Sequence, residues 1–104
     1  MSSLTKSQRT QLRQLAATAH ARELTAALTD LYEEFERWGG RENGAFDLNE
    51  AVHKFHDGVS RDLYKRYVLG SVDLSVIYAL HNGILGADEI DDGLTLALGM
   101  PARQ

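Results

Sequence analysis

The sequence predicts an all-α fold, a five-helix bundle in which one long N-terminal helix precedes four shorter ones. Three observations favour it. The N-terminal third contains a long run of strong helix formers without Gly or Pro. Apolar residues recur at three- and four-residue spacing along the chain. Most of the nine glycines fall between these periodic segments, where helices end. With 104 residues, the chain is expected to form a single helical domain spanning residues 1–104.

The long helix is expected from about residue 7 to residue 37. At about 1.5 Å per residue its length is roughly 46 Å, whereas a compact domain of 100 residues is only about 34 Å across. Its apolar stripe also changes direction, because the stripe before residue 20 and the stripe that begins at Leu24 lie about a third of a turn apart. Residues 1–22 are therefore predicted to be a protruding arm, or to be kinked near residues 19–22.

A protruding arm would leave Leu12 and Leu15 in water, and a second chain would cover them. We therefore expect a homodimer formed through the arm, with another protein as the alternative partner. Leu12→Asp is then expected to dissociate the assembly and leave the bundle folded. The expected interface residues are Leu12, Leu15, Ala16, Ala19 and His20.

The four shorter helices follow from capping residues and glycines. Asp47 and Glu50 read as a capping box that opens a helix ending at Gly58. The next helices are expected over residues 60–70, 73–82 and 88–99. Residues 72–80 also alternate with the period of a strand, but we favour a helix because the sequence offers no second strand to pair with it.

The segment of residues 39–50 resembles the calcium-binding loop of an EF-hand. Gly44 falls at the sixth position, Asp47 at the ninth and Glu50 at the twelfth, while the third position holds Arg41 instead of a carboxylate. The resemblance implies a divalent-cation site, and a metal-binding regulatory protein is the first alternative function. Helix capping explains the same acids without a metal. The candidate ligands are Asp47, Glu50, His53 and Asp57.

A second alternative is a nucleic-acid-associated protein. Arg61, Lys65 and Arg66 share a helix with Tyr64 and Tyr67, and cations beside aromatic rings can bind single-stranded nucleic acid. The formal net charge of −4 argues against it, because phosphate contacts need a basic surface. The competing interpretation places the tyrosines in the core and the cations in water.

The sequence offers little support for catalysis or for cofactor binding. The chain has no Cys, no Gly-x-Ser-x-Gly motif and no glycine-rich phosphate loop, so neither enzymatic activity nor a cofactor is expected. The most apolar stretch, residues 72–80, is too short to span a bilayer, and the N-terminus lacks a secretory pattern, so a cytoplasmic location is expected. The leading prediction is a non-enzymatic interaction or regulatory module that self-associates.

Overall fold

The computed structural model describes residues 4–100, and over this range the chain is all-α, as the sequence predicts. Helix α1 is Lys6–Gly39. Helix α2 comprises Ala45–Lys54, Arg61–Tyr64 and the π-helical segments Phe55–Ser60 and Lys65–Leu69, which join without a break. Helix α3 is Val72–His81 and helix α4 is Asp92–Ala97, preceded by a 3₁₀ turn at Ala87–Glu89. Within the described range, four helices therefore stand where five were predicted.

Helix α1 confirms the long N-terminal helix. Its first turn is fixed by a capping box, in which the Thr5 hydroxyl accepts from the Gln8 N–H at 3.0 Å and the Gln8 side chain accepts from the Thr5 N–H at 2.9 Å. All 34 residues stay helical, including residues 19–22, so the helix is not interrupted there. The described chain measures 55 × 27 × 18 Å, and its radius of gyration of 17.6 Å exceeds the roughly 13 Å of a compact domain this size.

Helix α2 differs from the sequence prediction at two points. It begins at Ala45 instead of after Asp47, because Gly44 occupies the cap position and donates its N–H to the Asp47 carboxylate at 3.0 Å. It also passes through Gly58, which the glycine rule places at a helix end. Phe55 and Leu63, on either side of Gly58, are inward-facing side chains. Their packing keeps the helix continuous through Gly58.

The core lies at one end of the molecule, which we call the head. Here α1 meets α3, the end of α2 and the C-terminal segment. Leu12, Leu85 and Leu94 are all about 1% exposed, so packing here is complete. The buried core residues are Leu12, Ala16, Ala19, Leu63, Tyr67, Val76, Ala79, Leu85, Ile90 and Leu94.

This core accounts for the residues that the sequence assigned to an interface between copies. Leu12, Ala16 and Ala19 are buried within their own chain, Leu15 packs against the same core, and His20 is half-buried beside Tyr67. The finding differs from the expected arrangement because α3 and the C-terminal segment fold back over the first half of α1. The protruding part of α1 is its second half instead.

An ion pair ties the C-terminal segment to α1. Arg22 binds both carboxylate oxygens of Glu89 at 2.7 Å and donates to the Ile84 carbonyl at 2.9 Å. The hydrogen bonds from Arg22, and then that from the Gly86 N–H, lower the pKa of Glu89 to about 2. Helix α4 starts only afterwards, with Asp91 as its cap residue in place of the predicted Asp88.

Beyond the head, α1 and α2 continue as a two-helix hairpin. Between residues 24 and 59 only Leu48 is buried. We call residues 30–50, at the end of this hairpin, the tip.

The buried position of Leu12 gives a first prediction. Leu12→Ala should lower the free energy of unfolding by about 2–5 kcal/mol, since it leaves a cavity in a closed core. Leu74→Ala is the matched control, because Leu74 is 67% exposed, and should cost less than about 1 kcal/mol. Urea unfolding followed by circular dichroism measures both, and equal effects would contradict the assignment of Leu12 to the core. Leu12→Asp should unfold the head.

A second prediction concerns Gly58. Its φ is negative, and a Cβ atom added to it would meet no other residue within 4 Å, so Gly58→Ala should stabilise the chain by about 0.5–1 kcal/mol. Gly83→Ala is the control, because Gly83 has a φ of 72° and the same substitution should destabilise there. Thermal unfolding of both variants gives the two signs. A loss of stability at Gly58 would mean that α2 breaks there.

Candidate interaction surface

The residues proposed as metal ligands are used for helix capping and local pairing. Asp47 caps the start of α2, and Glu50 pairs with Lys54 at 3.2 Å. His53 and Asp57 are exposed on α2. Among residues 4–100, no group of three or more His, Asp or Glu side chains is arranged to hold a metal ion.

The local backbone also differs from an EF-hand loop. Helix α1 reaches Gly39 and α2 begins at Ala45, so only five residues connect the two helices. Arg41 turns the chain with a φ of 65°. Helix α2 therefore already begins at the seventh loop position, Ala45. The structure therefore does not reproduce the 12-residue loop that the resemblance implied.

The three cations proposed for nucleic acid do not share one surface. Arg61 and Lys65 are exposed. Arg66 is turned toward the head, where its guanidinium lies 4.0 Å from the centroid of the Tyr78 ring and 3.4 Å from a Glu23 oxygen. Tyr67 is buried, so it offers no ring for stacking on a base.

Helix α2 is fixed on α1 by a polar cluster around Tyr67. Its hydroxyl donates to Glu23 at 2.5 Å, and its ring stacks on His20 with the centroids 5.3 Å apart. Burial, and then the hydrogen bond to Glu23, raises the pKa of Tyr67. Glu23 was not singled out from the sequence, although it lies three residues after His20 on the side of α1 that faces α2.

One side of the hairpin carries an open groove of about 500 Å³ between α1 and α2. Three of its four carboxylates have local partners: Glu34 pairs with Arg37 at 2.8 Å, and Asp47 and Glu50 are bound as described above. The groove side is therefore polar and charged. Its lining residues are Ala27, Asp30, Leu31, Glu34, Asp47, Glu50, Ala51, Lys54, Phe55 and Val59.

The opposite side of α1 is apolar. Leu28 and Phe35 directly follow the groove residues Ala27 and Glu34, and one residue of an α-helix turns the side chain by about 100°. They therefore point out of the hairpin on the side away from the groove. Leu28, Tyr32 and Phe35 recur at i, i+4 and i+7 and are all exposed.

Helix α2 extends this apolar surface by the same rotation. Val52 follows the groove residue Ala51, while Tyr64 and Val68 each follow a buried residue. Because α1 and α2 are antiparallel, the same sense of rotation brings both sets to the same side of the hairpin. We call this surface the hairpin face. It comprises Ala17, Ala21, Leu24, Leu28, Tyr32 and Phe35 of α1, and Val52, His56, Ser60, Tyr64 and Val68 of α2.

The hairpin face contains no Asp, Glu, Lys or Arg, in a chain of which 25% is charged. A long helix surface without charge is typical of packing against another apolar surface. The sequence reveals the helical spacing of Leu28 and Phe35. What it does not reveal is that no other element of residues 4–100 buries them.

Comparisons with protein-family models, curated proteins and solved structures found no match to this chain. Within residues 4–100, none of the helices combines the length and the hydropathy needed to cross a bilayer.

The Tyr67 cluster gives a third prediction. Tyr67→Phe should lower the free energy of unfolding by about 1–3 kcal/mol, because the Glu23 carboxylate loses its shortest hydrogen bond in a half-buried position. Tyr64→Phe is the matched control, since Tyr64 is half exposed, and should change stability by less than about 0.5 kcal/mol. Urea denaturation at neutral pH measures both. Equal, small effects would show that the cluster does not fix α2 on α1.

Proposed function

We propose that this protein is a non-enzymatic helical interaction module that self-associates through the hairpin face. One observation carries the proposal: the hairpin face is uncharged along both helices and is largely exposed. Two helices alone rarely bury their apolar sides, and a second hairpin would supply the missing layer of a four-helix bundle. The expected homodimer is thus retained, but its contact moves from Leu12 to the hairpin face.

The area of the aromatic side chains fits an interface between two copies. Tyr32, Phe35 and Tyr64 are 62%, 44% and 50% exposed. A buried aromatic side chain removes about 150–250 Å² from water, so these three offer roughly 300 Å² per chain. Two copies offer roughly 600 Å², which is the larger part of the non-polar area of a standard interface of about 1,600 Å².

The groove side is the less suitable surface for such a contact. Four carboxylates line it, and covering them would remove charges from water without new partners. In a dimer formed through the hairpin face, the groove sides of both copies remain in solvent. Burial of apolar area at roughly 25 cal/mol per Å² then drives association against the cost of joining two molecules.

The fourth prediction tests self-association. The wild-type chain should sediment as a dimer, at twice the monomer mass of 11.5 kDa, and Leu28→Glu or Phe35→Glu should shift it to the monomer by placing a carboxylate in an apolar contact. Ala26→Glu adds the same charge to the same helix, on an exposed side about 160° from Leu28, and should leave the dimer intact.

Sedimentation velocity between about 1 and 100 µM, with circular dichroism as the check on folding, gives the result. Monomeric wild-type protein over the whole concentration range would refute the proposal. So would dissociation by Ala26→Glu to the same extent as by Leu28→Glu.

A further inference from the structure

We infer that the two copies pack antiparallel, so that the tip of each chain lies on the head of the other. This inference rests on the proposed self-association and adds the arrangement of the partner. In this contact, α1 of one copy would pack on α1 of the second copy, and α2 on α2. A two-fold axis that passes near Leu28 would relate the two copies. The hairpin faces of both chains are then covered over their full length.

Charge distinguishes this arrangement from its alternative. Residues 30–50 contain seven acids and two bases, so the tip has a net charge of −5. The four bases of residues 6–22 and the three of residues 60–69 are offset by Glu23, by Asp62 and by the five acids of residues 70–100, and Arg22 and Arg66 are already paired with Glu89 and Glu23. The head therefore carries no net charge. An antiparallel dimer sets each negative tip against this neutral head, not against the other negative tip.

The alternative dimer has its two-fold axis along the hairpin and brings the two tips together. It would place two surfaces of net charge −5 side by side, which costs free energy wherever the charges are not screened. Both arrangements bury the apolar residues of the hairpin face. The difference between them is therefore mainly electrostatic, and the charge distribution favours the antiparallel one.

Side-chain size supports the position of the axis. With the axis at Leu28, positions equally far from Leu28 along the two copies of α1 face each other. Phe35 then meets Ala21 of the second copy, seven residues to either side, and Tyr32 meets Leu24, four residues to either side. The largest side chains of the stripe thus face smaller ones, as close helix packing requires.

A distance between spin labels tests the arrangement. The chain has no Cys, so Ser7→Cys and Thr29→Cys each accept a single nitroxide label at an exposed position of α1. In the antiparallel dimer, the two labels at position 7 should be about 60 Å apart, because each lies 21 residues from the axis at about 1.5 Å per residue. In the tips-together dimer they should be within roughly 30 Å, since all four helices are then neighbours in one bundle.

The label at position 29 is the control, because it lies next to the axis and should give a distance below roughly 30 Å in both arrangements. A long distance at 7 with a short one at 29 supports the inference. Short distances at both positions overturn it while self-association stands. Absence of any dipolar signal at either position, together with a monomer mass, overturns the proposed function itself.

Salt gives an independent readout on the unmodified protein. Between about 0.05 and 0.5 M NaCl, the screening length falls from roughly 14 Å to 4 Å. The dissociation constant of the antiparallel dimer should change little, because each negative tip lies on a head without net charge, whereas that of the tips-together dimer should fall several-fold as repulsion between the tips is screened. A dissociation constant that falls with salt would indicate tips in contact and contradict the inference.

Discussion

The structure depends on the length of one helix. Helix α1 runs unbroken for 34 residues, about 51 Å at the usual rise per residue, while the remaining chain can cover only half of it. Helix α3, the 3₁₀ turn and α4 all pack in the head, around Leu12, Ala16 and Ala19. Among residues 4–100, the second half of α1 has a single neighbouring helix, α2. The elongated shape and the exposed hairpin face both follow from this division.

The change in the apolar stripe of α1 has the same origin. Before residue 20, the apolar side of the helix faces α3 and the C-terminal segment, which lie across it. After Leu24, its inner side faces α2, and a further apolar row, with Leu28 and Phe35, points outward. A straight helix with two apolar directions has two sets of neighbours. The first half of α1 packs against neighbours from its own chain. The outward apolar row of the second half could be buried by another chain.

The sequence predicts much of the fold but little of the surface. Helix formers without Gly or Pro are enough to predict α1, since its propensity is local. The end of α2 is not predictable from Gly58 alone, because tertiary packing by Phe55 and Leu63 outweighs a glycine that costs about 1 kcal/mol. Asp47 is recognisable as a capping residue, but whether it is the cap or the third residue depends on a single hydrogen bond to Gly44. Spacing shows that Leu12 and Leu28 are both apolar helix positions. It does not show which of them the chain covers itself, since that depends on where residues 72–98 fold.

Different contacts hold α1 and α2 together at the two ends of the hairpin. At the head, α1 and α2 are held by specific polar contacts, in which Glu23 of α1 binds Tyr67 and Arg66 of α2. In and next to the tip, Leu48 is buried while Leu31, Ala51 and Phe55 are only half-buried, so the pair has little apolar contact of its own. A two-helix hairpin of this kind gains little from closing on itself in water. A second layer across the hairpin face would bury those side chains further, and the stability of the tip and its association with another hairpin would then have the same physical source.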